Sequence, residues 1–360
     1  MMQLAEIQSR LAEYLGTALL SLKVLASGWE TTVFEFTTEG ESTRLPMLPP
    51  RTPMVLRFYQ GTMADAKGAR EHITIGRLAA VGYSVPKPFG YEPDHAALGA
   101  PFLIMERVAG GPLFSRRSFP QAFKTFSLGF FAFVRAQVRL HQMELRGTGL
   151  DEIPRAYTPD GIDAQVPLLD RMLRIIEHRV AEGPLPGLKE ALSRLSSRAG
   201  EFRNAPASLV HMDYHPQNVV VKGVRVSGVI DWVNTDIGDR HLDAATTATI
   251  LSSSAMEHPR WMRDNLAGNS LRTMFASLYI PLYHAMAPLD FERFRYCQAV
   301  TSLFRLSMLG MMQARGAEVV GFRPEAIGEV TPAVVKLLSR YAARKSGTVV
   351  GLDLAKSIPA

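Results

Sequence analysis

His211, Asp213 and Asn218 stand in the order H-x-D-x-x-x-x-N, and a further carboxylate, Asp231, follows after a short apolar stretch. These residue types suit phosphoryl transfer from a nucleotide to a hydroxyl group. Asp213 is the candidate catalytic base, the carboxylate that meets the attacking hydroxyl. Asn218 and Asp231 are the candidate metal ligands. They offer the hard oxygens that Mg2+ prefers, with ATP phosphate oxygens and water completing its shell. The sequence between them indicates how they meet. Residues 219–221 and 226–230 read as two short buried strands, the second ending in Asp231, and Lys222 and Gly223 supply the turn. A hairpin of that length returns Asp231 to the neighbourhood of Asn218.

The elements upstream form a β-rich segment. Strands are expected over 21–26 and 33–37, with Ser27-Gly28-Trp29-Glu30-Thr31-Thr32 as the turn between them. Residues 54–59 form a strand pattern with one cation, Arg57, among apolar neighbours. A helix over about 63–81 carries Glu71 and turns Ile75, Leu78 and Ala79 inward. Gly82 fits its C-cap, and Pro86 and Pro88 keep the next segment extended. A buried strand over 101–105 leads into Glu106-Arg107-Val108-Ala109-Gly110-Gly111-Pro112, whose Gly-Gly-Pro run marks a boundary. The remainder reads as helices over 119–143, 164–181, 188–202, 243–254, 259–287, 290–315 and 331–344, with an irregular or docked tail from Lys345.

The segment from His211 to Trp232 resembles the aminoglycoside phosphotransferase family, which shares its fold with choline and homoserine kinases and is distantly similar to protein kinases. The family's loop is H-G-D-x-x-x-x-N followed by a hairpin and I-D-W; here Met212 replaces the glycine. Its later G-D-P-x-x-D-L-A pattern is matched by 238–245, with Arg240 for Pro and Ala244 for Leu. The resemblance implies an α+β, protein-kinase-like bilobal fold. A small β-rich N-terminal lobe with one main helix would span residues 1–106. A larger, mostly helical catalytic and acceptor-binding lobe would span 107–360, with the hinge at about 105–112. It further implies a nucleotide-binding set. Gly28 would lie in a hairpin over the ATP phosphates. Arg57, in place of the commoner lysine, would draw the phosphates in, held by Glu71. Met105 would line the adenine pocket, and the Glu106 carbonyl and Val108 amide would meet the adenine edge. His141 would pack near the catalytic loop, with His211 and Asp243 bracing it. Asp236 and Asp239 would either brace or touch substrate.

Composition fits this layout. A chain of 360 residues with 47% hydrophobic content suits two domains or one large split one. The single cysteine, Cys297, rules out an intrachain disulfide and fits a reducing compartment, so the expected location is cytoplasmic. The first seven residues lack the basic and apolar regions of a signal peptide. The uncharged stretch 273–289 contains Pro281 and His284 and reads as a buried helix rather than a membrane span. Neither G-x-x-x-x-G-K nor G-x-G-x-x-G occurs, which disfavours the two other common nucleotide folds.

Charge bears on the acceptor. The net charge is +6, and from His241 onward 13 Lys and Arg face 9 Asp and Glu. A pocket for a polycation should be acidic. A neutral or anionic hydroxylated small molecule is therefore the expected acceptor, with neither nucleic acid nor membrane as partner. Two other readings share the motif. A protein kinase is disfavoured because no D-F-G or A-P-E segment follows Asp231. A non-catalytic, nucleotide-binding regulatory protein of the same fold is kept open by Met212 and Arg57.

Overall fold

Strand β3 (Met54–Tyr59) is buried along its whole length and serves two cores. Side chains alternate across a strand. Met54, Leu56 and Phe58 pack with Ile7, Leu11 and Leu15, whereas Val55 and Tyr59 join Ile75 and Leu78 in the main core. Arg57 shares the second face and is 4% exposed. The structure, a computed structural model, describes residues 2–28, 31–61, 63–113, 119–156, 162–253 and 266–352.

The sheet around β3 is antiparallel throughout. Its other strands are β1 (Leu19–Ser27), β2 (Thr31–Thr38), β4 (Pro88–Glu92) and β5 (Phe102–Glu106), in the order β1-β2-β3-β5-β4. Helix α1 (Leu4–Leu15) covers one face. It is absent from the expectations above, although Ile7, Leu11 and Leu15 recur at helical spacing. Each buried leucine there contributes about 2 kcal/mol by removing apolar surface from water. Helix α2 (Ala64–Ala80) packs on the other face through Ile75 and Leu78; Ala79, expected inward, is exposed. A short helix α3 (His95–Leu98) precedes β5. The anticipated turn around Gly28 lies between β1 and β2, and its residues 29 and 30 fall outside the described residues.

Beyond β5 the chain is mostly helical. Strand β6 (Gly111–Pro112) pairs with β8 (Val219–Lys222), which pairs with β9 (Arg225–Val229); β7 (Ala207–Val210) pairs with β10 (Asp236–Asp239). The helices are α4 (Phe119–His141), α5 (Leu168–Glu182), α6 (Lys189–Phe202), α7 (Arg240–Ser253), α8 (Leu266–Met286), α9 (Phe291–Arg315) and α10 (Pro332–Ser346). Residues 254 and 259–265 of the expected helices fall outside the described residues. Helix α8 is one-sided rather than buried. Leu271, Phe275, Tyr279 and Tyr283 face the core, while Met274 and Leu278 are exposed. Among the described residues no helix is long and apolar enough to cross a membrane. After α9 the chain returns to the N-terminal sheet region: Arg323 donates to the Gly28 carbonyl, and Lys67 Nζ donates to the Gly321 carbonyl at 3.4 Å.

The passage from β5 to β6 leaves little room. Gly110 adopts φ +116°, and a Cβ there would lie 2.3 Å from the Val221 carbonyl oxygen. Gly110→Ala is expected to destabilise the protein by at least about 2 kcal/mol, read as a lower urea midpoint at unchanged slope.

Candidate active site

The buried cation of β3 binds two carboxylates at once. Arg57 Nη2 donates to Asp231 Oδ1 at 2.6 Å, and Arg57 Nε lies 3.2 Å from Glu71 Oε2. The geometry at Nε satisfies charge but not a hydrogen bond, so that buried donor has no acceptor among the described residues. Glu71 is tied from two further sides. Tyr59 donates its hydroxyl at 2.6 Å, and the Trp232 amide donates at 3.1 Å. Burial pushes the Glu71 carboxyl up, Arg57 pulls it back and Asp231 adds to the rise. Burial works against the Arg57 charge, but Asp231 and Glu71 outweigh it and hold the guanidinium firmly protonated. One cation facing two carboxylates leaves a local excess of negative charge.

Asp231 reaches this position by leaving the strand. β9 ends at Val229, two residues earlier than the pattern implied. The Ile230 amide donates to the Asn218 carbonyl at 2.9 Å, and Asp231 turns into the left-handed region at φ +67°. That turn ends the ladder and swings the carboxylate toward Arg57. The backbone link from residue 230 to Asn218 brings the two expected metal ligands onto adjoining segments.

The loop before β8 holds the other half of the site. Asn218 Nδ2 donates to the Asp213 carbonyl at 3.0 Å and to Asp213 Oδ2 at 3.2 Å, leaving the amide oxygen of Asn218 free of that pairing. His215 Nε2 lies 3.5 Å from Asp213 Oδ2, and Arg305 Nη1, from α9, lies 3.7 Å from Oδ1. Burial would raise the Asp213 carboxyl, but His215, Arg305 and His211 together hold it below the usual carboxylate range. His211 Nε2 faces the Ile230 carbonyl at 3.0 Å, and its Nδ1 accepts from the Asp213 amide at 3.3 Å.

Met212 sits between these two residues at φ +61°, a conformation that suits glycine. Its amide donates to Asp243 Oδ1 at 2.6 Å. Asp243 Oδ2 in turn accepts from His141 Nε2 at 2.8 Å and Gln137 Nε2 at 3.1 Å, and His141 Nδ1 meets the Tyr283 hydroxyl at 2.6 Å. His141 is thus a hydrogen-bonded brace rather than mere packing. Asp236 is taken up by Arg171, Arg155 and the Ala156 amide. Asp239 is taken up by His241 and Arg293. Both carboxylates brace the fold.

The sequence-predicted residues thus fall into groups. Arg57, Glu71 and Asp231 meet directly, as do Asp213 and Asn218. Gly28 closes the β1–β2 turn, its amide donating to the Thr31 carbonyl at 2.9 Å. Met105 is buried in β5, Glu106 ends that strand exposed, and Val108 is buried against Gly228. Tyr59, Gln137, His215, Tyr283 and Arg305 complete the network without having been singled out for it. Only His215 lies near the motif; the others come from strands and helices distant in sequence. Among the described residues no cluster of three His, Cys, Asp or Glu side chains could hold a metal ion alone. One amide oxygen and one carboxylate fit Mg2+ that brings phosphate and water as its remaining ligands.

A family model described as "Phosphotransferase enzyme family" matches residues 21–289. No curated sequence matches the chain at a significant level. Several solved structures share the fold. A putative aminoglycoside phosphotransferase from Ralstonia eutropha JMP134 is 16% identical at a TM-score of 0.57, covering 94% of this chain and 98% of its own. A thermostable mutant of aminoglycoside phosphotransferase APH(4)-Ia, in ternary complex with AMP-PNP and hygromycin B, is 17% identical at 0.59, covering 94% and 99%. APH(3'')-Id from Streptomyces rimosus ATCC10970 is 16% identical at 0.53, covering 84% and 99%.

Two outcomes follow from the electrostatics. Arg57→Met should cost about 3–5 kcal/mol in urea unfolding, because Glu71 is left as an uncompensated buried charge. Adding Glu71→Gln should restore more than half of that loss; no recovery would mean that the pair is not coupled. Asp213, Asp239 and Asp243 all titrate lower in the fold than their ordinary 3.8. A depressed carboxyl stabilises the fold above its unfolded value and loses that contribution as pH falls through the folded value. Stability should therefore fall steeply below about pH 4, and Asp243→Asn should flatten that limb of a thermal-melt pH profile.

Proposed function

From the premise that the chain belongs to the phosphotransferase enzyme family, we propose that it transfers the γ-phosphoryl group of ATP to a hydroxyl of a small molecule. The observation that carries this reading is the joint placement of Asp213 and Asn218 on one loop, tied through residue 230 to Asp231 and so to Arg57 and Glu71.

The division of labour we propose follows the charges. Asp213 orients the acceptor hydroxyl and takes its proton late, since a loose transition state asks little of the base. Its lowered proton affinity suits that role, because the carboxylate is ionised at neutral pH. Asn218 and Asp231 would hold Mg2+, which supplies charge neutralisation at the phosphates when bound. Arg57 contributes a fixed positive charge to the phosphate side. Glu71 positions Arg57. Gly28 lies on the phosphate side of the nucleotide, and Met105, the Glu106 carbonyl and the Val108 amide on the adenine side. The division between lobes falls at residues 106 and 107, within a hinge of about 105–112.

The acceptor is best read as a neutral or anionic hydroxylated small molecule. Arg305 and His215 stand beside Asp213, so the acceptor end of the site is not the acidic surface that a polycation needs. The buried free thiol of Cys297 supports a reducing compartment such as the cytoplasm.

One feature favours a second reading. Arg57 occupies an oxygen of Asp231 that a metal would use, as a nucleotide-binding regulator without transfer chemistry could do. A coupled turnover assay with Mg-ATP and a panel of hydroxylated metabolites and antibiotics separates the two. Acceptor-stimulated turnover should fall about 10²–10⁴-fold in Asp213→Asn while nucleotide binding persists. Asp231→Ala should also lose Mg-dependent binding. Nucleotide binding with no acceptor-stimulated turnover across the panel would favour the regulator, and near-normal turnover in Asp213→Asn would remove that residue from the base role.

A further inference from the structure

Away from Asp213, helices α6, α9 and α10 line an open cavity of about 300 Å³. Its rim carries Arg194 and Arg198 from α6, Arg295 from α9, and Arg344 and Lys345 from α10, against one carboxylate, Glu292. The partners of these groups are unequal. Arg198 is held by Glu201 and Glu292 at 2.5 and 2.9 Å. Arg194 donates to the Gly347 carbonyl at 3.3 Å. Arg344 and Lys345 lie over the Tyr341 ring at 5.8 and 5.3 Å. Among the described residues Arg295, Arg344 and Lys345 have no carboxylate partner.

Helix polarity accounts for part of this cluster. Arg344 and Lys345 occupy the last turn of α10, where exposed carbonyls favour cations. That reason does not extend to Arg295 or Arg194, which come from other helices and converge on the same space. Like charges gathered around one concavity repel. Burial pushes the Lys345 ammonium down, and Arg344 and Arg295 push it further. The arrangement costs free energy that a bound anion would return. Its size is at the lower end of small-molecule pockets, and its buried floor includes Tyr296, an aromatic surface beneath the charged rim.

We propose that this cavity binds a small, soluble, phosphate-bearing molecule, with Arg295, Arg344 and Lys345 as its charged contacts. The site is separate from the catalytic loop: Arg295 and Arg305 are ten residues apart on α9, about 15 Å along its axis. Guanidinium groups suit phosphate because they bond it in pairs.

The test is a calorimetric titration of the full chain with pyrophosphate, without divalent cations and at low salt. Saturable binding is expected, weakened at least tenfold in Arg295→Ala/Arg344→Ala and unchanged in Asp213→Asn. Both arginines are exposed, so the double variant should fold, and its ligand-free Tm should equal or exceed that of the parent. Arg295→Ala alone serves as the second variant. Absence of saturable binding, or binding unaffected by either variant, would overturn the proposal. A lower ligand-free Tm in Arg295→Ala would overturn the argument from repulsion. Phosphatidylserine vesicles form a separate arm. Co-sedimentation that pyrophosphate displaces and the double variant loses would overturn the soluble source in favour of a lipid headgroup.

Discussion

The two-armed ion pair of Arg57 is the constraint on which the site depends. It joins β3, α2 and the turn after β9, segments separated by up to 174 residues. Its contribution to net stability is small, because desolvating three charged groups offsets most of their attraction. Its effect is geometric. A lysine presents a compact point charge and would serve one carboxylate well. The guanidinium fork meets Glu71 with one edge and Asp231 with another. Tyr59 and the Trp232 amide then fix Glu71, so the cation has one position rather than several. The arginine at a place where the family commonly has lysine is consistent with this crowded arrangement.

Two left-handed residues, Asp231 within this pair and Met212 on the loop before β8, shape the site and are held by different means. Asp231 is secured by its own ion pair and by the hydrogen bonds of its neighbours at 230 and 232. Met212 lacks such a charge, and its strain, about 1–2 kcal/mol for an L residue, is resisted from below. Asp243 takes the Met212 amide and is itself locked by His141 and Gln137. Tyr283 and Tyr279, one turn apart on α8, complete the brace by bonding His141 and Gln137 in turn. A buried network of this kind is costly when incomplete and rigid when satisfied. Here it sets the backbone that presents Asp213.

How far the sequence revealed this arrangement depends on the range of the interaction. The loop and hairpin from 211 to 231 were legible because their chemistry is local: spacing alone brings Asn218 and Asp231 together. Strand β3 was legible because five apolar residues surround one cation. The position of Asp231 was less so. A left-handed turn at a non-glycine residue leaves no trace in hydrophobic pattern, and the strand was expected to run two residues too far. The α8 stretch read as buried because it lacks charge, yet an uncharged helix can still leave Met274 and Leu278 in solvent. The braces Gln137 and Tyr283 and the neighbour Arg305 were not legible as such. Gln137 meets Asp243 across 106 residues and Tyr283 meets His141 across 142, while Arg305 reaches Asp213 from α9, and only the packing of α4, α8 and α9 decides which side chain arrives.

The charge of the whole chain is a poor guide to the charge of this site. The protein carries +6, but much of the surplus lies on helices remote from the catalytic loop, part of it around the cavity between α6, α9 and α10. Among the described residues, the catalytic loop and the Arg57 pair hold two guanidinium ions, Arg57 and Arg305, against three carboxylates, Glu71, Asp213 and Asp231, with Arg323 standing apart at the Gly28 carbonyl. Such a set does not attract a triphosphate. Field focusing in a cleft magnifies the local sign, not the global one. A nucleotide would therefore enter favourably only with divalent counter-ions that reverse this balance. On the reading proposed above, metal dependence is then a condition of nucleotide affinity and not solely of the chemical step.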